Sequence, residues 1–401
     1  MTCPFAILLC LLLVFLLGTL SEAQDSIPPD QFTILPWGGT PGDPAVLETI
    51  RDCGFNLAGF VAPEALDAVQ AAGLKALVIE GSCHVGDAEA NLDDAEITRR
   101  VEALVAKVKG HPAVYGYYLR DEPSARPFAG LGKWAAAFEK AHPGALPYIN
   151  LFPNYASPEQ LGTASYDEYL EQFVATVKPR FISYDHYALM DDGSLRGGYF
   201  QNLESVRRVA LANDLPFWNI VLSNAHFHYA EPSPGGLRFQ AYTTLAYGAR
   251  GISYFTYFAP HVGNYRLAPI DQFGHKTPTW DMLRNVNLQI QKLAPTYVTL
   301  KSVNVFHHPN VPEGCRGLDS SRHLTSLDGG DLLAGEFEGA AGEPYVLIVN
   351  KDLHNSTAFG LTPKMAGSIS VISAYTGQPT GFGGEQVWLA AGQGMLLRLG
   401  Q

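Results

Sequence analysis

Val114-Tyr115-Gly116-Tyr117-Tyr118-Leu119-Arg120-Asp121-Glu122-Pro123 runs from apolar and aromatic residues into three charged ones and a proline. It reads as a long apolar strand, and Pro123 ends it. Just upstream, Ile97, Val101, Leu104, Val105 and Val108 recur at helical spacing from Asp94, while Arg99, Arg100, Glu102 and Lys107 lie off that stripe. Gly110-His111-Pro112 closes that helix. Just downstream, a helix from near Gly130 closes at His142-Pro143-Gly144, and the next strand covers Pro147–Phe152.

Further out the same alternation repeats. Strands are expected at Phe32–Trp37, Phe55–Phe60, Ala76–Glu80, Val114–Leu119, Pro147–Phe152, Phe181–His186, Phe217–Leu222 and Gly251–Tyr257. Helices are expected to begin near Asp43, Pro63, Asp94, Gly130, Tyr166, Phe200, Leu237 and Thr279. Eight such units over about 270 residues match the count and length of a closed (β/α)8 TIM barrel, in the α/β class. After no strand is there a GxGxxG or a GxxxxGK[ST] run, so a nucleotide site has no support. From Lys301 the pattern changes to short β-like runs, at Ser302–Phe306, Leu332–Phe337, Tyr345–Asn350, Ser368–Ala374, Gln386–Leu389 and Met395–Leu399, separated by Gly-rich turns. This predicts a C-terminal β-sandwich over 301–401 behind a catalytic barrel over 24–300.

Residues 5–20 read FAILLCLLLVFLLGTL, and Ser21-Glu22-Ala23 follows. An uncharged run ending in small residues predicts a signal peptide over 1–23, and hence a secreted or periplasmic protein with no membrane attachment after cleavage; a retained membrane anchor is the rival reading, the run being near the lower limit for spanning. The chain has 401 residues, is 47% hydrophobic and carries a formal charge of −12, with only 16% charged residues. Such an acidic, charge-poor surface argues against nucleic acid as a partner. Behind the signal only Cys53, Cys83 and Cys315 remain, with no ligand-like spacing, so neither a disulfide scaffold nor a metal site is implied. No cofactor is implied, and the oligomeric state is left open.

In a barrel of this kind chemistry gathers at the C-terminal strand ends. With strict alternation along strand four, Gly116, Tyr118, Arg120 and Glu122 share a face, placing Glu122 at the rim and Arg120 one layer below. A half-buried carboxyl at the mouth of an aromatic-lined cleft holds its proton near neutral pH and can deliver it to a leaving sugar oxygen. Arg120 would oppose that, so its guanidinium is expected on Asp121 or Asp185. Trp37, Tyr118, Tyr187 and Tyr257 are candidates for stacking on sugar rings, and Asn150, Asn154, His186, Asn224 and His226 for bonding hydroxyls.

The run YGYYLRDEP resembles the fourth-strand signature of secreted TIM-barrel glycoside hydrolases, in the clan that includes family 42 and family 5 enzymes. Ala246–Phe255 and the stretches Ala334–Phe337 and Val349–Asp352 resemble the last barrel turn and the appended β domain of the same enzymes. The resemblance implies cleavage of O-glycosidic bonds in a poly- or oligosaccharide, with Glu122 as acid/base. The sequence departs from that pattern twice. Asp121 stands where the clan usually has Asn. Strand seven, Phe217 to Leu222 followed by Ser223-Asn224-Ala225-His226, lacks the Glu that serves the clan as nucleophile.

The best second carboxylate is then Asp185 on strand six, expected to face Glu122 across the cleft. A gap of ~5–5.5 Å would mean retention of configuration, and ~6.5–9.5 Å inversion. Glu80, ending strand three, is a third candidate. The adjacent Asp121-Glu122 pair also admits a scheme in which Asp121 orients a substrate acetamido group and Glu122 is the acid. Two rival readings remain. His226-Phe227-His228 has the His-x-His spacing of metal-dependent barrel hydrolases, but theirs follows strand one, which here ends Pro36-Trp37-Gly38-Gly39. A non-catalytic carbohydrate-binding barrel is favoured by the missing strand-seven acid.

Overall fold

Helix starts are set by side chains that accept orphan N–H groups: Asp43 for Ala45 and Val46, Asp93 for Glu96, Ser165 for Glu168 and Ser233 for Gly236. The computed structural model describes residues 31–382 and 387–400; the expected signal peptide lies outside them. Eight strands form one parallel sheet: β1 (Thr33–Pro36), β2 (Leu57–Val61), β3 (Lys75–Val78), β4 (Val114–Asp121), β5 (Leu146–Leu151), β6 (Ile182–Asp185), β7 (Phe217–Leu222) and β8 (Gly251–Phe255). Its order, β1-β8-β7-β6-β5-β4-β3-β2, brings β1 and β2 to the two edges. Around it lie α1 (Pro44–Asp52), α2 (Leu66–Ala71), α3 (Asp94–Val108), α4 (Phe128–Ala141), a short α5 (Pro158–Leu161), α6 (Tyr166–Val177), α7 (Tyr199–Ala212), α8 (Pro234–Ala246) and α9 (Pro278–Tyr297).

The barrel closes at the β1–β2 seam largely without a regular ladder. The Asn56 side chain accepts from Ile34 N and donates to Phe32 O, and Phe60 N donates to Gly38 O at 2.9 Å. Gly59 sits opposite with φ +99, and a Cβ there would lie 2.6 Å from Thr40 Oγ1 and 2.8 Å from Gly38 O. Only glycine satisfies both the backbone and the space. Inside, aromatic rings fill the barrel, chiefly Phe60, Tyr115, Tyr118, Tyr148, Phe181 and Trp218.

The six strands expected after residue 300 are joined by three more. β9 (Lys301–His308), β11 (Leu332–Glu338), β12 (Pro344–Asn350), β14 (Ile369–Ile372), β15 (Pro379–Gly381) and β17 (Gly394–Leu399) form one antiparallel sheet. β10 (Leu324–Gly329), β13 (Thr357–Pro363) and β16 (Val387–Leu389) form the other. β10 and β13 escape a hydrophobicity reading because most of their residues are at least partly exposed. Phe306, Ile348, Phe359 and Leu397 pack between the sheets. The opposite face of the larger sheet, with Leu333, Phe337, Leu347 and Val349, joins the core shared with the barrel. It lies on α8, where 11 of 13 residues are buried.

Candidate active site

The site is decided by a bulge. β4 pairs with β5 as Tyr118↔Tyr148, then Arg120↔Ile149 and Asp121↔Asn150, so Leu119 has no partner. The extra residue reverses the alternation. Tyr118 still points into the barrel, but Leu119 packs in the outer core and Asp121 meets the inward-facing Asn150. The expected shared face of Tyr118, Arg120 and Glu122 is thereby corrected. Arg120 turns to the loop after β3, where it bonds Val85 O at 3.1 Å and the Asp87 carboxylate at 2.7 Å, rather than Asp121 or Asp185. Glu122 follows in a left-handed conformation, φ 41, with its N–H on Asn150 O.

Asn150 organises the carboxyls. Its Nδ2 donates to Asp121 Oδ1 and to Asp185 Oδ1, each at 3.0 Å. Its Oδ1 accepts from the Ser183 hydroxyl at 3.0 Å, which itself meets the Tyr148 hydroxyl at 2.9 Å. This chain through the barrel interior fixes which end of the amide faces the acids. Glu122 and Asp185 are hydrogen-bonded to one another. Asp185, expected to face Glu122, is its immediate neighbour, each carboxyl bearing on the other's pKa. Two carboxyls in hydrogen-bonding contact hold a proton between them.

No cation neutralises this group: among the described residues, none of Asp121, Glu122 and Asp185 forms an ion pair. Burial is the first cause of every shift. It pushes Glu122 up to about 7, helped by the Asp121 charge and opposed by the bond to Asp185. It raises Asp185 well above the carboxylate range, with Glu122 and Asp121 adding to it. Asp121 also rises through burial, held back by the Asn150 amide. Asp185 is only 2% exposed, whereas Glu122 is partly open, so the shared proton can reach a substrate only through Glu122.

Aromatic rings wall the same mouth. Tyr187 lies among the charges of Asp185, Asp121 and Glu122 and stacks on Phe255, centroids 5.6 Å apart. Trp37 also packs on Phe255, tilted, at 5.6 Å. His226 lies flat on Tyr265 at 4.7 Å, near Tyr187 and Tyr229. Its Nδ1 meets Asn224 Oδ1 at 3.1 Å, and burial holds its pKa down at about 4. Asn224 is fully buried just past the end of β7, with no partner for Nδ2. Tyr118 lies deeper, against Phe60 at 4.3 Å, with His84 stacked above it.

Three candidates stand elsewhere. Glu80 falls past the end of β3 and is held outward by Lys107 of α3 at 2.9 Å, which lowers its pKa. Tyr257 points into the outer core, its hydroxyl accepting from Trp280 Nε1 at 3.0 Å. His186, on the outward parity of β6, lies between Tyr155 and Tyr199. Phe255, Tyr265, Tyr229, Tyr155 and His84 were not singled out by the sequence reading. Phe255 lies within the expected eighth strand, and its parity with Ser253 was the signal available. The others sit on loops whose course no periodicity reveals. The two histidines of His226-Phe227-His228 part company, His228 being exposed near Asp191 at 3.7 Å. Among the described residues no three His, Cys, Asp or Glu side chains are grouped to hold a metal ion.

The chain thus folds as an eight-stranded parallel barrel with an appended antiparallel sandwich, its acids gathered at the C-terminal mouth. Solved structures share this fold. A β-galactosidase from Bacillus circulans sp. alkalophilus matches over 92% of this chain and 99% of its own, with a TM-score of 0.64 at 8% identity. A glycoside hydrolase family 5 protein from Bacteroides vulgatus matches over 92% and 88%, with a TM-score of 0.57 at 13% identity. A β-galactosidase from the psychrophilic Marinomonas ef1 matches over 68% of this chain and 62% of its own, with a TM-score of 0.51 at 11% identity. At such identities the likeness establishes the fold. No protein-family model matches the sequence, and no curated protein does.

Proposed function

We propose that the protein is a glycosidase acting on O-glycosidic bonds of a poly- or oligosaccharide, with Glu122 as the proton donor. The observation that carries this is the buried Glu122–Asp185 pair, in no ion pair among the described residues, opening through Glu122 into a ring-lined mouth. Glu122 retains a proton near neutral pH and meets a leaving oxygen at the rim. Trp37, Tyr187 and Phe255 offer flat apolar surface for sugar C–H faces. The apolar run 5–20 and the Ser21-Glu22-Ala23 that follows it support export, which fits a polymeric substrate outside the cell.

The test is Glu122→Gln on a panel of polysaccharides and nitrophenyl glycosides. The expected result is loss of hydrolysis by about 10²-fold or more with glycan binding retained. Hydrolysis undiminished in E122Q would overturn the reading. The end of β7, which carries Asn224 where the resembled clan has an acid, favours a second reading as a carbohydrate-binding barrel. A wild-type protein that binds glycans of the panel and cleaves none would establish it.

A further inference from the structure

Cleavage of a glycoside needs a nucleophile as well as a proton donor. In the resembled enzymes a carboxylate on β7 supplies it, and here β7 leads into Ser223 and Asn224. The acids on the surrounding loops are engaged elsewhere. Glu231 is held by Arg266 at 3.1 Å, Asp87 by Arg120 at 2.7 Å and Glu80 by Lys107 at 2.9 Å. Asp271 caps its own loop through the N–H groups of Phe273 and His275. Asp191 faces His228. Asp185 is bonded to Glu122 itself and so is not free to attack from the opposite face of a sugar. Asp121, adjacent to Glu122, is the acid still to be given a role.

We propose, resting on the glycosidase reading, that the nucleophile belongs to the substrate. The substrate class is an N-acetylhexosaminide with the acetamido group trans to the leaving group, and Asp121 orients that group. Asn150 occupies only Oδ1 of Asp121 and, by donating to it, favours the charged form that accepts an amide N–H. The independent observation lies across the mouth. Asn224, with 0% exposure, has its Oδ1 fixed by His226 Nδ1 and its Nδ2 without a partner. An amide at this strand end, neutral and buried, cannot replace the attacking carboxylate. The Tyr187–Phe255 stack supplies apolar surface for the acetamido methyl group.

The step balances within the substrate and Glu122. The acetamido carbonyl oxygen bonds to the anomeric carbon while the glycosidic bond breaks, and the departing oxygen keeps the electron pair and takes the proton of Glu122. Asp121 holds the amide N–H and stabilises the cyclic cation. Glu122, now ionised, takes a proton from water as the water oxygen bonds to the anomeric carbon. The same displacement breaks the bond between the anomeric carbon and the acetamido oxygen, so the acetamide is restored, Glu122 carries its proton again, and configuration is retained.

The probes are nitrophenyl N-acetyl-β-glucosaminide and N-acetyl-β-galactosaminide, the corresponding β-glucoside and β-galactoside, and N-acetyl analogues carrying one, two or three fluorines. The expected results are cleavage of an acetamido substrate at least ~10²-fold faster than its hydroxyl counterpart, and a stepwise fall in kcat with each fluorine. Asp121→Asn should lose about 10²-fold in kcat with KM within a few-fold, as for a group acting in the transition state. Equal cleavage of the hydroxyl counterparts, or rates indifferent to fluorine, would overturn the substrate-supplied nucleophile. Provided E122Q still abolished that cleavage, the glycosidase reading would stand. No cleavage of any glycoside would overturn both.

Discussion

Glu122 combines two unfavourable states. Its backbone is left-handed, which an L-residue with a side chain adopts at a cost, and its carboxyl is buried beside other acids. Both follow from the unpaired Leu119, which brings Asp121 inward and leaves Glu122 to turn over the rim. The linkage has a definite sign. The folded-state pKa of about 7 lies above the unfolded value near 4.3, so folding binds a proton between them. Below about pH 4 both states are protonated and the site costs nothing through ionisation. As pH rises towards neutrality the unfolded carboxyl ionises first and the folded protein loses stability. The loss is complete once the folded carboxyl has also ionised. Glu122→Gln, which can still bond Asp185, is therefore expected to match wild type in urea unfolding at pH 4 and to exceed it by about 1–2 kcal/mol at pH 8. An equal difference at both values would sink this account of the site.

At the scale of elements, the barrel rests on a seam that its own strands do not finish. β1 and β2 meet through the Asn56 side chain and the close approach of Gly59 to Gly38 and Thr40. Gly59→Ala adds a Cβ where φ is +99 and three oxygens lie within 2.9 Å, including Pro36 O at that distance. It is expected to destabilise by about 2–4 kcal/mol. Gly73→Ala, at φ +74 but in open space, should cost only about 1 kcal/mol. Thermal unfolding of the two variants separates them, and equal losses would refute a crowded seam. The third helix was legible because its stripe is complete: all five apolar residues named from the sequence are buried. The bulge in β4 was not. Its cause lies in the register with β5, which leaves no mark on the spacing of β4 alone, so strict alternation misdirected Arg120.

Across the whole molecule the sandwich is continuous with the barrel. The larger sheet buries one face in its own core and the other against α8, and the apolar cluster around the strands runs on into Val305, Leu347 and Leu396. Gly335 fits against the Ala246 carbonyl, where a Cβ would collide, and Arg250 donates to the carbonyls of Tyr297 and Leu300 at the join. A shared core of this kind should unfold cooperatively. Calorimetry of the full chain is expected to show one transition, and Gly335→Val should lower it as a unit. Two resolved transitions, with only the smaller moved by G335V, would show that the two parts melt independently.

The alternation of eight strands and helices, the change to β structure near residue 301 and the place of Glu122 at a strand end were legible in the chain alone. These are written in local hydrophobic period and in strand-end polarity, which short stretches of chain carry alone. Packing between strands is what set Asp185 beside Glu122, tied it through Asn150 to Asp121, and turned Arg120, Glu80, His186 and Tyr257 elsewhere. Those outcomes depend on inter-strand register and on side chains from three strands converging at one end of a barrel, distances that no single segment encodes.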